Sequence, residues 1–339
     1  MGNRQQSFKR VTRADVARYA GVSETIVSYV INNNRYVSKE KRKRVEEAIK
    51  ALNYRPNYIA RALKGKNSNH IIFIADHITN EHFSKLICEM DKYAYKEGYL
   101  ISLCQNRNTE EFVSQIISRQ YDGIIISSIS FPESYIRQFI SANIPVVVLL
   151  NRLYDNIEGA GLIYTGLYEG AKKCVEHLVN KGRKNILYLD RISSHGNFST
   201  ESDLRLRGFK DQMKESNLPV SEENIITGCT SEDEVIAKIK KRFKDGFPID
   251  AIFGRNDRIA CIGMEAVKQL GLRIPEDVSV VGFDNSSISM YTSPALTTVE
   301  IPRADIGKAA VEMLHHMINE KSVPDKIYFE TKLIERESS

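Results

Sequence analysis

The stretch Val11–Asn32, VTRADVARYAGVSETIVSYVIN, constrains most strongly what this chain can fold into. Thr12 has Asp15 three residues on, a helix start whose acid lies where the helix dipole favours it. Val16, Ala17 and Ala20 then recur at helical spacing. Gly21 breaks the stripe and can take the positive φ of a tight turn. Ser23 is placed to cap a second helix whose apolar side is Ile26, Val27 and Val30. A small residue at Ala17, a turn glycine and an apolar Val27 are what two crossed helices in close contact require. The pattern implies a helix-turn-helix, and with it DNA reading through the major groove. The same spacing also fits an incidental helical hairpin in an enzyme, so the rest of the chain has to decide.

Charge is the first discriminator. Residues 1–67 hold 16 Lys/Arg and 5 Asp/Glu, a net +11, whereas residues 68–339 hold 32 and 38, a net −6. A basic head followed by a mildly acidic body is the pattern of a nucleic-acid binder with a separate second function. Ser38 can cap a third helix running to about Leu52, with Val45, Ala48, Ile49 and Leu52 on its core face. Its KEKRKR run, Lys39–Arg44, is partly a solvated face, and its place after a helix-turn-helix suits phosphate contact. The turn Asn53-Tyr54-Arg55-Pro56-Asn57 ends this helix, Tyr58–Lys64 reads as a brief further helix, and Gly65–Asn69 as a polar linker. The expected divisions are a headpiece at 1–54, a hinge and linker at 55–69 and a body at 70–339.

From His70 onward, short apolar runs such as His70–Ala75, Gly123–Ser127, Gly161–Tyr164 and Ala251–Gly254 alternate with helical patterns such as Glu110–Gln120, Leu204–Ser216 and Glu232–Lys244. This is the rhythm of doubly wound parallel sheets, so the fold class is a small all-α headpiece plus an α/β body of two lobes. No glycine-rich phosphate loop follows the first strand, and no nucleophile elbow is present, which argues against an enzyme. The five cysteines are odd in number, scattered and without metal-ligand spacing, so reduced thiols, no metal and no cofactor are expected. No apolar run reaches the roughly eighteen residues of a membrane span. The polar, basic N-terminus lacks the apolar core of a secretory signal, so a cytoplasmic location is expected.

The succession AGVS, then VS and N in the second helix, VS before the basic helix, then YRPN and IARALK, resembles the lactose/galactose repressor (LacI/GalR) family of bacterial transcriptional regulators. The likeness runs over residues 10–339. It implies that α-helical residues near the start of the second helix read base edges. The matching DNA-contact positions are Thr12, Glu24, Thr25, Ile26, Ser28, Tyr29, Asn32, Tyr54, Asn57, Ala60 and Leu63. Tyr29 stands where that family usually has an arginine, whose bidentate pairing with guanine is worth about 1–3 kcal/mol of discrimination. Ile26 replaces a usual threonine and can meet a thymine methyl. Leu63 matches the hinge-helix wedge that kinks DNA from the minor groove.

The same resemblance implies a type I periplasmic-binding-protein-like body with a ligand cleft between its lobes. Ligands of open α/β sheets sit beyond the carboxyl ends of the strands. Asp76 and Asn80 with Phe83, Asn151-Arg152, Asp190, Asn256-Asp257 and Asp284-Asn285 occupy such ends. Arg205 opens RLRGF, similar to a family pattern RLxGF. The expected effector contacts are therefore Phe83, Arg152, Asp190, Arg205, Asn256, Asp257 and Asp284. Carboxylates, amides, a guanidinium fork and an aromatic face suit a sugar or a related small molecule. Each aspartate after a strand can equally be a helix N-cap. His82 and His195 are placed to serve the ligand or lie on the surface.

The chain departs from the family at Asn80-Glu81-His82-Phe83, at Thr165-Gly166 in place of a common Asp-Asn, and at Thr227–Ser231, which lacks an aromatic. No apolar heptads follow LIERESS, so a homodimer on a pseudopalindromic operator is expected rather than a tetramer. An alternative within the family is a global catabolite-type regulator with a phosphoprotein corepressor, which needs a basic docking surface on the body. An architectural DNA binder has no use for a cleft, and a secreted binding protein has none for a basic head.

Overall fold

Helix α1 (Arg13–Ala20) begins at a reciprocal capping box. The Thr12 hydroxyl accepts from the Asp15 N–H at 3.3 Å, and the Asp15 carboxylate accepts from the Thr12 N–H at 2.9 Å. It ends at Gly21, whose φ of 62° is left-handed and open to glycine at no steric cost. The Ser23 hydroxyl accepts from the Ile26 N–H and starts α2 (Glu24–Asn32). Helix α3 (Lys39–Ala51) closes the bundle. Val16, Ala17, Ala20, Val27, Val30, Val45, Ala48 and Tyr54 form one small buried core, with Ile26 half-buried at its edge. Fully burying a side chain such as Val27 stabilises this unit by roughly 1.5–3 kcal/mol.

The computed structural model describes residues 11–55, 67–76 and 78–339. The chain divides into two units at Ser68/Asn69. In the second unit, β1 (His70–Ala75), α4 (Glu81–Lys96), β2 (Leu100–Gln105), α5 (Glu110–Ser118), β3 (Gly123–Ser127), α6 (Glu133–Ser141), β4 (Val146–Leu150) and β5 (Gly161–Tyr164) alternate. They build a parallel sheet of order β11-β5-β4-β3-β1-β2, whose far edge is the late strand β11 (Lys326–Tyr328). Strands β3 and β4 are buried along their whole length, which is why they read as unbroken apolar runs.

A second parallel sheet follows from α7 (Leu167–Asn180), β6 (Ile186–Leu189), α8 (Leu204–Glu215), β7 (Ile225–Ile226), α9 (Glu232–Lys244), β8 (Ala251–Gly254), α10 (Asp257–Gln269) and β9 (Ser279–Val281). Its order is β7-β6-β8-β9. The remaining elements are α11 (Ile288–Tyr291), β10 (Thr298–Glu300), α12 (Arg303–Ile318) and β12 (Lys332–Ile334). Strands β10 and β12 pair antiparallel, and α12 returns to pack on α4 and on β3–β5 of the first sheet.

The chain thus passes between lobes three times: after β5, after β10, and between β11 and β12. The first and third passages lie side by side, since the Phe329 N–H donates to the Tyr164 carbonyl at 2.8 Å. Gly166 has a φ of 78°, and a Cβ there would stand 2.7 Å from the Phe329 carbonyl oxygen. A polar side chain has no room at this position, which accounts for glycine where the resemblance leads one to expect asparagine.

Candidate functional site

In the headpiece, Glu24 and Thr25 open α2 with exposed side chains, and Ser28 and Tyr29 follow half-buried on the same helix. The Asn32 amide does not project outward. It folds back on its own helix, donating to the Ser28 carbonyl at 2.8 Å and lying 3.1 Å from the Ser28 hydroxyl. Ile26 leans on the headpiece core, and Tyr54 is a core side chain at 7% exposure, so neither presents its full face to a groove. Thr12 is exposed but engaged in its capping box. Asn57, Ala60 and Leu63 lie outside the described residues.

The basic run of α3 is divided in its work. Arg42 donates to the Asn33 side chain at 3.0 Å and Arg44 to the Gly21 carbonyl at 3.2 Å, so both brace the helix-turn-helix. Lys39, Lys41 and Lys43 stay exposed. An unanticipated contact lies at the end of α2, where the Arg35 guanidinium is 5.3 Å from the centroid of the Tyr29 ring.

In the body, a cleft of about 560 Å³ opens beyond the carboxyl ends of β1, β4, β6 and β8. Five of the seven expected effector residues line it: Phe83, Arg205, Asn256, Asp257 and Asp284. Arg205 projects from the first turn of α8, over the Phe283 ring at 4.5 Å, and donates from Nη2 to Asp284 Oδ1 at 2.8 Å. Its Nε is buried with no hydrogen-bond partner among the described residues. Asp284 has a φ of 101°, a strained conformation for a residue with a side chain, of the kind that collects at ligand sites.

Asn256 is the helix N-cap after β8: its side-chain oxygen accepts from the Ile259 N–H at 2.9 Å. Asp257 is therefore free of that role. Its carboxylate accepts from the Ser286 N–H at 2.6 Å, the Ser286 hydroxyl at 2.7 Å and the Thr298 hydroxyl. Burial and the charge of Asp284 push its pKa up to about 7 against those hydrogen bonds. His82, 3.9 Å from Asp284, is pushed down to about 4 by burial, with Arg303 and Arg205 acting in the same direction. Its ring is thus neutral at neutral pH, consistent with Nδ1 accepting from Arg303 Nε at 3.2 Å.

Two expected effector residues are elsewhere. Arg152 donates to the Phe131 carbonyl at 2.8 Å and lies 4.4 Å from the centroid of the Tyr154 ring, and it does not line the cleft. Asp190 lines a different cavity and accepts from Ser199 and Thr227. His195 is exposed and lies 3.1 Å from its neighbour Ser194.

The cleft also contains three arginines that sequence reasoning missed, Arg191, Arg255 and Arg258. Arg191 follows Asp190, and Arg255 precedes Asn256, so the strand-end rule that selected their neighbours could have found both. Arg191 pairs with Asp76 at 3.4 Å. Burial raises the Asp76 carboxyl, but the charge of Arg191 and hydrogen bonds from Ser128, Ile129 and Asn106 hold it below its ordinary value. Burial disfavours the Arg255 charge, yet Asp203 at 2.7 Å and Asp190 at 3.7 Å more than offset this and push its pKa up. Among the described residues no group of His, Cys, Asp and Glu is arranged to hold a metal, and no helix is long and apolar enough to cross a membrane.

Residues 12–57 match the model of bacterial regulatory proteins of the lacI family, and residues 175–339 match the periplasmic binding protein-like domain. Over 94% of its length the chain is 33% identical to the HTH-type transcriptional repressor PurR of Vibrio vulnificus, covering 95% of that protein. It is 32% identical to the repressor of the same name from Vibrio cholerae, over 96% of this chain and 97% of that one. The solved structure of the lac repressor dimer bound to operator and the anti-inducer ONPF superimposes with a TM-score of 0.82 at 27% identity, covering 97% of this chain and 99% of that one. The chain therefore belongs to the LacI family of bacterial regulatory proteins, DNA-binding transcriptional repressors and not enzymes.

Proposed function

We propose that this repressor binds a pseudopalindromic operator as a homodimer in the cytoplasm and is switched by a small polyhydroxylated effector, a sugar or a related molecule, in the cleft between its lobes. The observation that carries the reading is the convergence on one cleft of Arg205, Asn256, Asp257 and Asp284 with the Phe83 ring. The unpartnered Arg205 Nε is a buried donor that a ligand hydroxyl or carbonyl can satisfy, and leaving it unmet costs roughly 1–3 kcal/mol. Asp284 and Asp257 accept from hydroxyls, and an aromatic such as Phe83 packs on a C–H face. An effector shifts operator affinity only by its preference between two arrangements of the lobes.

The test is a thermal-shift screen of sugars, sugar phosphates and nucleobases, followed by operator gel shifts with each hit. Arg205→Lys should retain operator binding and lose most of the effector response. A full response in that variant would remove Arg205 from the site. Stabilisation by nucleobases alone would replace the polyol with a flat heterocycle in the same cleft.

A further inference from the structure

Asp190 faces a second cavity of about 600 Å³, outside the cleft, at the open edge of the second sheet. Its walls are the edge strand β7, the outer face of α8 and the second half of α9. Three features mark it as built for a ligand. First, Tyr188 lines it although that residue is fully buried, and its hydroxyl has no hydrogen-bond partner among the described residues. A buried hydroxyl left unmet is costly, and the residue that carries this one borders the cavity. Second, Ser199 and Thr227 bring two hydroxyls to the same wall, fixed by the buried Asp190 carboxylate behind them at 2.6 Å and 2.8 Å.

Third, α9 lends three cations, Lys238, Lys241 and Arg242, that form no ion pair among the described residues. Lys238 donates to the Thr227 and Gly228 carbonyls and Arg242 to the Glu222 carbonyl, all backbone groups, and Lys241 makes no ion pair among the described residues. Lys210, by contrast, is neutralised by Glu201 at 2.5 Å. Glu222 and Asp245 also line the cavity, so its charge is mixed and not simply basic. Such a wall suits a ligand with hydroxyls at one end and an anionic group at the other.

We propose that this cavity is a second small-molecule site that takes a phosphorylated sugar or similar anionic polyol. The anion lies against Lys238, Lys241 and Arg242, and the hydroxyls against Tyr188, Ser199 and Thr227. Asp190 and Arg255, 3.7 Å apart, form part of the partition between this cavity and the effector cleft. The proposal is independent of what occupies the cleft.

The test is calorimetric titration of the full-length protein with glucose 6-phosphate, using inorganic phosphate and glucose as comparison probes. The double variant Lys241→Ala, Arg242→Ala changes the solvent side of α9 and should fold as the parent does. It should weaken glucose 6-phosphate binding at least tenfold, whereas the cleft variant Arg205→Lys should leave that binding in place. Tyr188→Phe should weaken glucose 6-phosphate several-fold and leave inorganic phosphate unaffected. The proposal is overturned by no glucose 6-phosphate binding at millimolar concentration, or by binding the double variant leaves unchanged. It is also overturned if Arg205→Lys abolishes the binding, or if inorganic phosphate binds as tightly as the sugar phosphate with no effect of Tyr188→Phe.

Discussion

The guanidinium of Arg191, just beyond β6, lies 3.4 Å from the carboxylate of Asp76, just beyond β1, so a largely buried ion pair joins the two lobes across the effector cleft. Asp76 is fixed in its own lobe by Ser128 at 2.5 Å and the Ile129 N–H at 2.9 Å. Arg191 is less at ease, since burial and the nearby Arg255 both lower its pKa. The pair therefore favours the arrangement of the lobes in which these two groups meet. Asp76→Asn and Arg191→Gln should each weaken effector binding several-fold. Because both remove the same contact, the double variant should fall short of additivity, with a coupling of roughly 0.5–3 kcal/mol. Strictly additive effects in effector titrations would show that the pair does not hold the lobes.

Asp257 makes the pH dependence of stability predictable. Its carboxyl is pushed up to about 7, by burial first and by the charge of Asp284 second, from an unfolded value of 3.8. The folded chain thus holds this proton more tightly than the unfolded one. Its contribution to stability falls as pH rises from about 4 to about 7, and changes no further above that. Urea denaturation at about pH 5 and about pH 8 should show the parent losing stability relative to Asp257→Asn across the interval. Parallel behaviour of the two proteins would mean that the carboxyl ionises normally.

The headpiece was legible because its signals are local. Thr12, Gly21 and Ser23 cap or break helices through their own backbone, and each does so where the spacing put it. The strands of the body were legible because burial on both faces leaves unbroken apolar runs. What escaped was decided by distant parts of the chain. Strand β10 has three residues and exists through its pairing with β12, which no local pattern announces. The cleft carboxylates were found by the strand-end rule, but the same rule brought in Arg152, whose guanidinium is claimed by the Phe131 carbonyl and the Tyr154 ring. Side-chain direction at a strand end depends on such neighbours, and so did the placing of Asp190 in a second cavity.

The hinge expectation rests on sequence alone and can be tested without structural detail. Leu63 falls where the family pattern puts an apolar wedge between base steps. Leu63→Ser should weaken binding to the specific operator and leave nonspecific DNA binding largely intact, as measured by gel shifts with and without competitor DNA. An equal loss on both DNAs would count against the wedge.

The Tyr29–Arg35 contact bears on which sequence is read. The helix α2 lacks the arginine that the family pattern puts at position 29, yet a guanidinium from the following loop leans on the aromatic ring that took its place. A cation held over a ring contributes about 0.5–1 kcal/mol at an exposed site, enough to bias the arginine toward one orientation. Tyr29→Ala should therefore release Arg35 and lower operator affinity by more than the lost ring contact alone. Arg35→Ala should reduce discrimination at one symmetric pair of operator positions by roughly 1–3 kcal/mol if the guanidinium meets a base edge. If it meets phosphate, affinity should fall uniformly across a library of operator variants, and the slope of log affinity against log salt should shrink by about one. A selection on randomised half-sites with the parent and both variants separates these outcomes, and an unchanged profile in all three would exclude the pair from operator reading.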